Sequence, residues 1–179
     1  MKMLRLILSS LLLITFTLPA LAGGSADKQD DMQLAVQSAL RSATEKDPGL
    51  KAWIDSAAAY AVFPKVGKAG IGIGGARGHG LLIQGDKTLA DVTLSQITVG
   101  FQLGGQVYIE IIFFKDQTAV DDFMRGNFEM GAQVSAVAVT LGASADAAYN
   151  KGVAVFTIAE GGLMYEASIG GQKFKVKPR

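Results

Sequence analysis

The stretch FPKVGKAGIGIGGARGHGLLIQGDKTLADVTLSQITVGFQLGGQVY, residues 63–108, holds a large share of the chain's 22 glycines. Within it Gly70, Gly72 and Gly74 alternate with Ala69, Ile71 and Ile73. A period of two belongs to an extended strand, so one face of this strand carries no side chains. A bare glycine face lets a backbone, a ligand or a packed ring come close. The spacing predicts a glycine-rich sheet that the other segments surround and complete.

Residues 60–63 read as a short apolar strand ended by Pro64. Residues 69–76 and 79–84 read as two strands about a turn at Arg77-Gly78, and Gly85-Asp86-Lys87 as another turn. Residues 97–103 and 106–114 are expected as strands joined at Gly104-Gly105, a two-residue hairpin signal. In the second of these, Val107, Ile109, Ile111 and Phe113 alternate with Tyr108, Glu110, Ile112 and Phe114. It is apolar on both faces toward its end, which predicts a central strand. Asp116 caps an expected helix through Arg125, with Val120, Phe123 and Met124 inward and Gly126 at its end. Further strands are expected at 128–141, 153–159, 163–168 and 172–177, with turns at Gly142, Asn150-Lys151-Gly152, Gly161-Gly162 and Gly170-Gly171.

Upstream, residues 23–29 read as a polar tether. Met32, Val36, Ala39, Leu40 and Ala43 then form one stripe at helical spacing over 30–46, with Asp30 and Asp31 at its start and Arg41 and Lys46 near its end. Such a stripe packs on its own sheet or lies on a membrane. Asp47-Pro48 restarts the chain for a short helix over 48–58 that buries Trp53 and Ile54. Many short strands without helical crossovers predict an α+β domain. Its sheet is expected to be antiparallel and curled or closed (barrel-like), with N-terminal helices and one further helix near 117–125.

The chain opens with Lys2 and Arg5, an apolar run over 6–18, and Pro19-Ala20-Leu21-Ala22. This is the pattern of a secretory signal peptide with a small-x-small cleavage site, and the run is short for a spanning anchor. Cleavage after Ala22 leaves 157 of the 179 residues, enough for one domain over 30–179 with a real core. Lys2 and Arg5 are two of 17 basic residues against 16 acidic ones, so the processed chain is formally −1. General attraction to nucleic acid is not expected, and any attraction to anionic lipid must be local. Cysteine is absent, which removes disulfides, thiolate chemistry and a lipidated N-terminal cysteine. A periplasmic or secreted protein is expected.

Gly70-Ile71-Gly72-Ile73-Gly74-Gly75 matches G-x-G-x-x-G. A dinucleotide site needs a helix opening directly after such glycines, and here another strand follows. His79 is the single histidine, so a Ser–His–Asp hydrolase would have to run through it, and no G-x-S-x-G elbow is present. A zinc site would rest almost wholly on carboxylates. No enzymatic activity, metal or cofactor is expected. The C-terminus carries a different signal: Lys173, Lys175, Lys177 and Arg179 alternate with Phe174, Val176 and Pro178, which puts four cations on one strand face. A second group, Lys65, Lys68 and Arg77, borders the glycine strand. Clusters of this kind bind lipid phosphates at roughly 1 kcal/mol per cation near an anionic surface. Lysines on an edge strand also simply prevent edge-to-edge pairing.

Several segments together resemble the SYLF-domain family: Ala61-Val62-Phe63-Pro64 with Lys68-Ala69-Gly70, residues 72–80, and Val99-Gly100-Phe101-Gln102-Leu103-Gly104-Gly105-Gln106. Phe128-Glu129-Met130-Gly131-Ala132, Ala154-Val155-Phe156 and Gly162-Leu163 follow in family order. The resemblance covers residues 31 to about 174 and is strongest in GFQLGGQ. It implies an α+β domain that binds phosphoinositides or other phospholipids without known catalysis, here resembling a secreted bacterial branch in which the domain stands alone. Actin binding, described for some eukaryotic members, is not carried over. The chain departs from the family at Val139-Thr140-Leu141-Gly142, at Glu160-Gly161-Gly162-Leu163-Met164-Tyr165, where a cation is lost, and in lacking the aromatic ending. The expected partner is a phospholipid membrane surface, met by Lys65, Lys68, Arg77, Lys173, Lys175, Lys177 and Arg179, with the first helix dipping into the interface. The alternative is an envelope scaffold that binds another protein.

Overall fold

The computed structural model describes residues 23–126, 129–130, 135–161 and 171–179. The expected signal segment, the strand expected at 163–168 and part of that at 128–141 lie outside the described residues. Helix α1 spans Gly23–Lys46 and α2 Leu50–Ser56. Strand β1 runs Ala59–Gln84, β2 Lys87–Phe114, and α3 follows at Gln117–Met124. Then come β3 (Glu129–Met130), β4 (Ala136–Ala138), a 3-10 turn at Ala143–Ala145, β5 (Val153–Gly161) and β6 (Gln172–Pro178). Residues 23–29, read as a tether, are the first turns of α1.

Two expected turns prove to be strand. Neither Arg77-Gly78 nor Gly104-Gly105 reverses the chain; β1 and β2 form one long antiparallel ribbon, paired from Ala59↔Phe114 to Gln84↔Lys87. The ribbon closes at Gly85-Asp86, where Gly85 has φ 55°. Gly104 and Gly105 pair with Gly70 and Ala69, so glycines of both strands meet at one level, and the register slips between Ile71 and Ile73. Bulges and glycines let paired strands bend together instead of turning back. The bend is sharp. A straight strand would separate Val62 from Gly80 by roughly 60 Å. Instead, a Cβ on Gly80 would fall on the Val62 carbonyl oxygen and lie 2.8 Å from Phe63 Cδ1. At the corner itself, a Cβ on Gly70 would fall on Gly74 Cα. The bare face is what allows the ribbon to lie across itself.

The fold thus has two wings made from the same two strands. Beyond the far ends of β1 and β2, β5 adds to residues 107–114 of β2 in one wing, and β6 adds to residues 90–96 in the other. The strand path is β3-β6-β2-β5-β4, with β1 on the other side of β2. Among the described residues this sheet is open rather than a closed barrel. It is also mixed, because β4 pairs parallel to β5. The 3-10 turn and the tight Asn150-Lys151-Gly152 turn carry the chain back before β5 begins, with φ positive at Lys151 and Gly152. The α+β class and the central position of β2 hold.

Alternation along β2 feeds two apolar cores. Tyr108, Ile112 and Phe114 face Phe63, Val66, Leu82, Leu94 and Phe174 between the wings, and α3 closes this core with Val120 and Phe123. Phe123 lies 4.7 Å from Phe114 and 5.2 Å from Phe174, centroid to centroid. The α3 cap is as expected: Ala119 N–H donates to Asp116 Oδ1 at 3.0 Å. On the opposite face Ile109, Ile111 and Phe113 meet Phe156, Ile158, α1 and α2. The α1 stripe is consumed here, with Val36, Ala39 and Ala43 buried, so it is not the surface expected to dip into a membrane. Trp53 is half-buried and packs on Phe113 and Phe156 at 5.7 and 5.1 Å.

The corner between α1 and α2 is fixed by Asp47, which is buried. Its Oδ1 accepts from Gly49 N–H at 3.1 Å and its Oδ2 from Ser144 N–H at 2.7 Å. Burial pushes this carboxyl up, but the hydrogen bonds from Ser144, Gly49 and Gly142 outweigh it and hold Asp47 below its ordinary value.

Candidate functional site

The bend gathers three cations that are not adjacent in sequence. Lys68 and Arg77 line a groove of about 440 Å³ at the corner, together with Gly67, Gly75, Gly105 and Gln106. Lys65 and Arg77 line a second groove of about 360 Å³ between α1 and β1, with Met32, Ala35, Pro64 and His79. Gly67 and Arg77 belong to both, so the grooves adjoin. Neither lining contains a carboxylate. Lys65 and Arg77 are exposed and Lys68 is half-buried. None of the three has an ion pair among the described residues. Burial alone lowers the pKa of Lys68, which is the signature of a cation short of a counter-ion.

The C-terminal cations lie on the same sheet face as Arg77. Paired residues of an antiparallel sheet share a face, and the register gives the rows Arg77–Ser95–Lys173 and His79–Thr93–Lys175 across β1, β2 and β6. Lys177 stands beside Asp91 in the next row. The alternation read from sequence is present, with Lys173, Lys175 and Lys177 exposed and Gln172 and Phe174 buried. Arg179 is committed elsewhere: its Nε and Nη2 donate to the two oxygens of Asp91 at 3.0 and 2.7 Å. That hydrogen bond, ahead of the charge of Arg179 and Lys177, holds Asp91 below its ordinary value. The structure therefore gathers Lys65, Lys68 and Arg77 around two adjoining grooves, sets Lys173 and Lys175 on the Arg77 sheet face, and closes Arg179 into a pair.

His79 is exposed, and Thr93 Oγ1 lies 3.3 Å from its Nδ1. The six-residue glycine match lies wholly inside β1 with no helix after it, so the dinucleotide geometry is missing. Among the described residues no cluster of histidine and carboxylate side chains is arranged to hold a metal. No described helix is long and apolar enough to cross a membrane.

The reading from sequence passed over one buried group. Glu110 is fully buried between the wings, flanked in register by Phe63 and Thr157. Gln172 of β6 donates its Nε2 to Glu110 Oε2 at 2.8 Å, a bond that ties one wing to the other. Among the described residues, Glu110 Oε1, Thr157 Oγ1 and Gln172 Oε1 have no hydrogen-bond partner. Burial pushes the Glu110 carboxyl up to about 7, with Gln172 opposing in part. Burial, with the nearby Glu110 charge, raises Tyr108 as well. The signal was present in Tyr108-Ile109-Glu110-Ile111-Ile112: a lone acid in the middle of a strand that is apolar on both faces.

Residues 95–178 match a family described as Ysc84, Las17-binding protein actin regulator. Residues 95–178 are thus Ysc84 (SYLF)-like. It is also similar to "Beta cell expansion factor A" of Aeromonas veronii, 30% identical over 132 residues, which is 72% of this chain and 49% of that protein. The chain thus spans about half the length of this relative. The SYLF match supports a binding role. It covers most of β2 and all of β3 to β6, whereas Lys65, Lys68 and Arg77 lie upstream of it on β1.

Proposed function

We propose that this protein is a non-catalytic phospholipid-binding protein that docks peripherally on a membrane surface outside the cytoplasm. The observation that carries the reading is the pair of adjoining grooves around Arg77, lined by Lys65, Lys68, Arg77 and His79 and by no carboxylate. Phosphates of phosphoinositide or other anionic headgroups fit such a site, since each supplies the charge that Lys68 lacks. The apolar run at 6–18 supports export, and the SYLF resemblance supports lipid as the ligand class. On a chain of nearly balanced charge, attraction has to come from this locality.

Vesicle sedimentation at low salt tests the proposal. The protein is expected to sediment with vesicles of phosphatidylglycerol in phosphatidylcholine, to be released by added salt, and to ignore phosphatidylcholine alone. Charge reversal at Lys65, Lys68 and Arg77 together should abolish sedimentation. Equal, negligible binding of the native protein to both vesicle types would refute the proposal. A second reading, an envelope scaffold, is favoured by β1, which pairs only with β2 among the described residues and so offers a strand edge. Cross-linking in cell envelopes separates the two, because a scaffold captures one defined protein even after the charge reversal.

A further inference from the structure

Two isoleucines stand in solvent beside the basic grooves. Ile73 is 70% exposed and Ile97 77% exposed. They occupy the bend, on the same two strands that carry the grooves. Ile97 pairs with Gly75, so Ile73 and Ile97 are diagonal neighbours on one face with only a glycine between them. Arg77 is the next side chain on that face of β1, and its row continues through Ser95 and Lys173 to Glu129. Along β1 from the tip, the face therefore reads apolar at Ile73 and cationic at Arg77.

We propose that this corner enters the bilayer: Ile73 and Ile97 pass into the acyl boundary of an anionic phospholipid membrane while Arg77, Lys65 and Lys68 stay at headgroup level. The inference rests on the phospholipid-surface reading above and adds the orientation and the anchor. The order of groups selects the occupant. A bilayer presents anionic phosphate above hydrocarbon, which is the order in which this surface presents cations behind isoleucine. A second copy of the chain is a poor match, because a two-fold contact through the isoleucines would set Arg77 and its neighbouring cations against their own images. Exposed β-branched residues at a strand bend also gain from burial without moving the backbone, since they already stand clear of both cores.

The absence of cysteine allows a single label. Ile73→Cys, Ile97→Cys and Asp86→Cys, the last at the far end of the ribbon, are each given an environment-sensitive dye. Vesicles of phosphatidylglycerol in phosphatidylcholine, with and without brominated acyl chains, are the probe, and sedimentation of the unlabelled protein is measured alongside. The expected result is a blue shift and bromine quenching at positions 73 and 97 and neither at 86. Ile73→Ser with Ile97→Ser should weaken partition by about tenfold per isoleucine, with an unchanged urea transition showing that the fold is intact. Sedimentation with all three dyes still in water overturns the insertion while leaving headgroup binding standing. Failure of the unlabelled protein to sediment removes the lipid reading and this inference with it. A blue shift that grows with protein concentration in the absence of vesicles assigns the corner to self-association instead.

Discussion

Replacing Glu110 by Gln should make the protein more stable, by an amount that grows as pH rises from about 4.5 to about 7. The folded carboxyl is pushed up to about 7 from an ordinary value of 4.5. A raised acid binds its proton more tightly folded than unfolded. Its stabilising contribution is complete below the unfolded value and is lost as pH rises to about 7. The gap corresponds to about 3 kcal/mol. Gln at this position keeps the acceptor for Gln172 Nε2 and brings an N–H donor among Glu110's neighbours, where Thr157 Oγ1 and Gln172 Oε1 have no partner among the described residues. Urea denaturation of both proteins at a series of pH values measures the difference. The variant is expected to match the native protein near pH 4.5 and to exceed it by about 3 kcal/mol at pH 8. Groups that titrate identically in the two proteins cancel in the difference. A difference that stays flat across this range would show that Glu110 does not carry an uncompensated charge, and the account of the inter-wing core would be wrong.

Three other perturbations follow from contacts already described. Gly80→Ala drives a methyl into the Val62 carbonyl and Phe63 ring and should cost about 2–3 kcal/mol or more in urea denaturation. Gly67→Ala, with nothing within 4 Å of the added carbon, should change stability by less than about 0.5 kcal/mol. Asp47→Ala strips the acceptors from Gly49 and Ser144 and should cost about 2–4 kcal/mol at pH 7. Because the Asp47 pKa is depressed, that difference should shrink as pH falls through the acid range, the opposite sense to Glu110. Arg179→Ala, which breaks a partly exposed pair with Asp91, should cost about 1 kcal/mol or less and leave vesicle sedimentation unchanged, whereas Arg77→Glu should sharply reduce it.

Local signals were legible wherever a neighbour in sequence was also the physical partner. The Asp116 cap, the α3 face of Val120 and Phe123, the Gly85-Asp86 turn and the alternation of β6 all depend on residues a few positions apart. The glycine alternation correctly announced a close backbone approach, but its partner, Val62, is 18 residues from Gly80. Nothing local distinguishes a glycine pair that turns a chain from one that bends a paired ribbon. That is why Gly104-Gly105 read as a hairpin: its role is set by Gly70 and Ala69 on the other strand. The basic groups were visible as groups; the bend that gathers Lys65, Lys68 and Arg77 around adjoining grooves was not. Arg179 looked available because Asp91, which binds it, lies 88 positions away.

The ribbon also dictates a sequence of events in folding. β1 and β2 are joined by a two-residue connection and can zip outward from Gly85-Asp86, each new pair closing only a small additional loop. β5 and β6 come from far along the chain, and each docks on a different half of β2. Until β6 arrives, Glu110 has no Gln172 and the last ring of the inter-wing core, Phe174, is missing. Refolding should accordingly proceed with early ribbon formation and late closure, the final seven-residue strand acting as the latch. Substitutions at Phe174 would then slow refolding little and accelerate unfolding, whereas substitutions beside Gly85 would do the reverse.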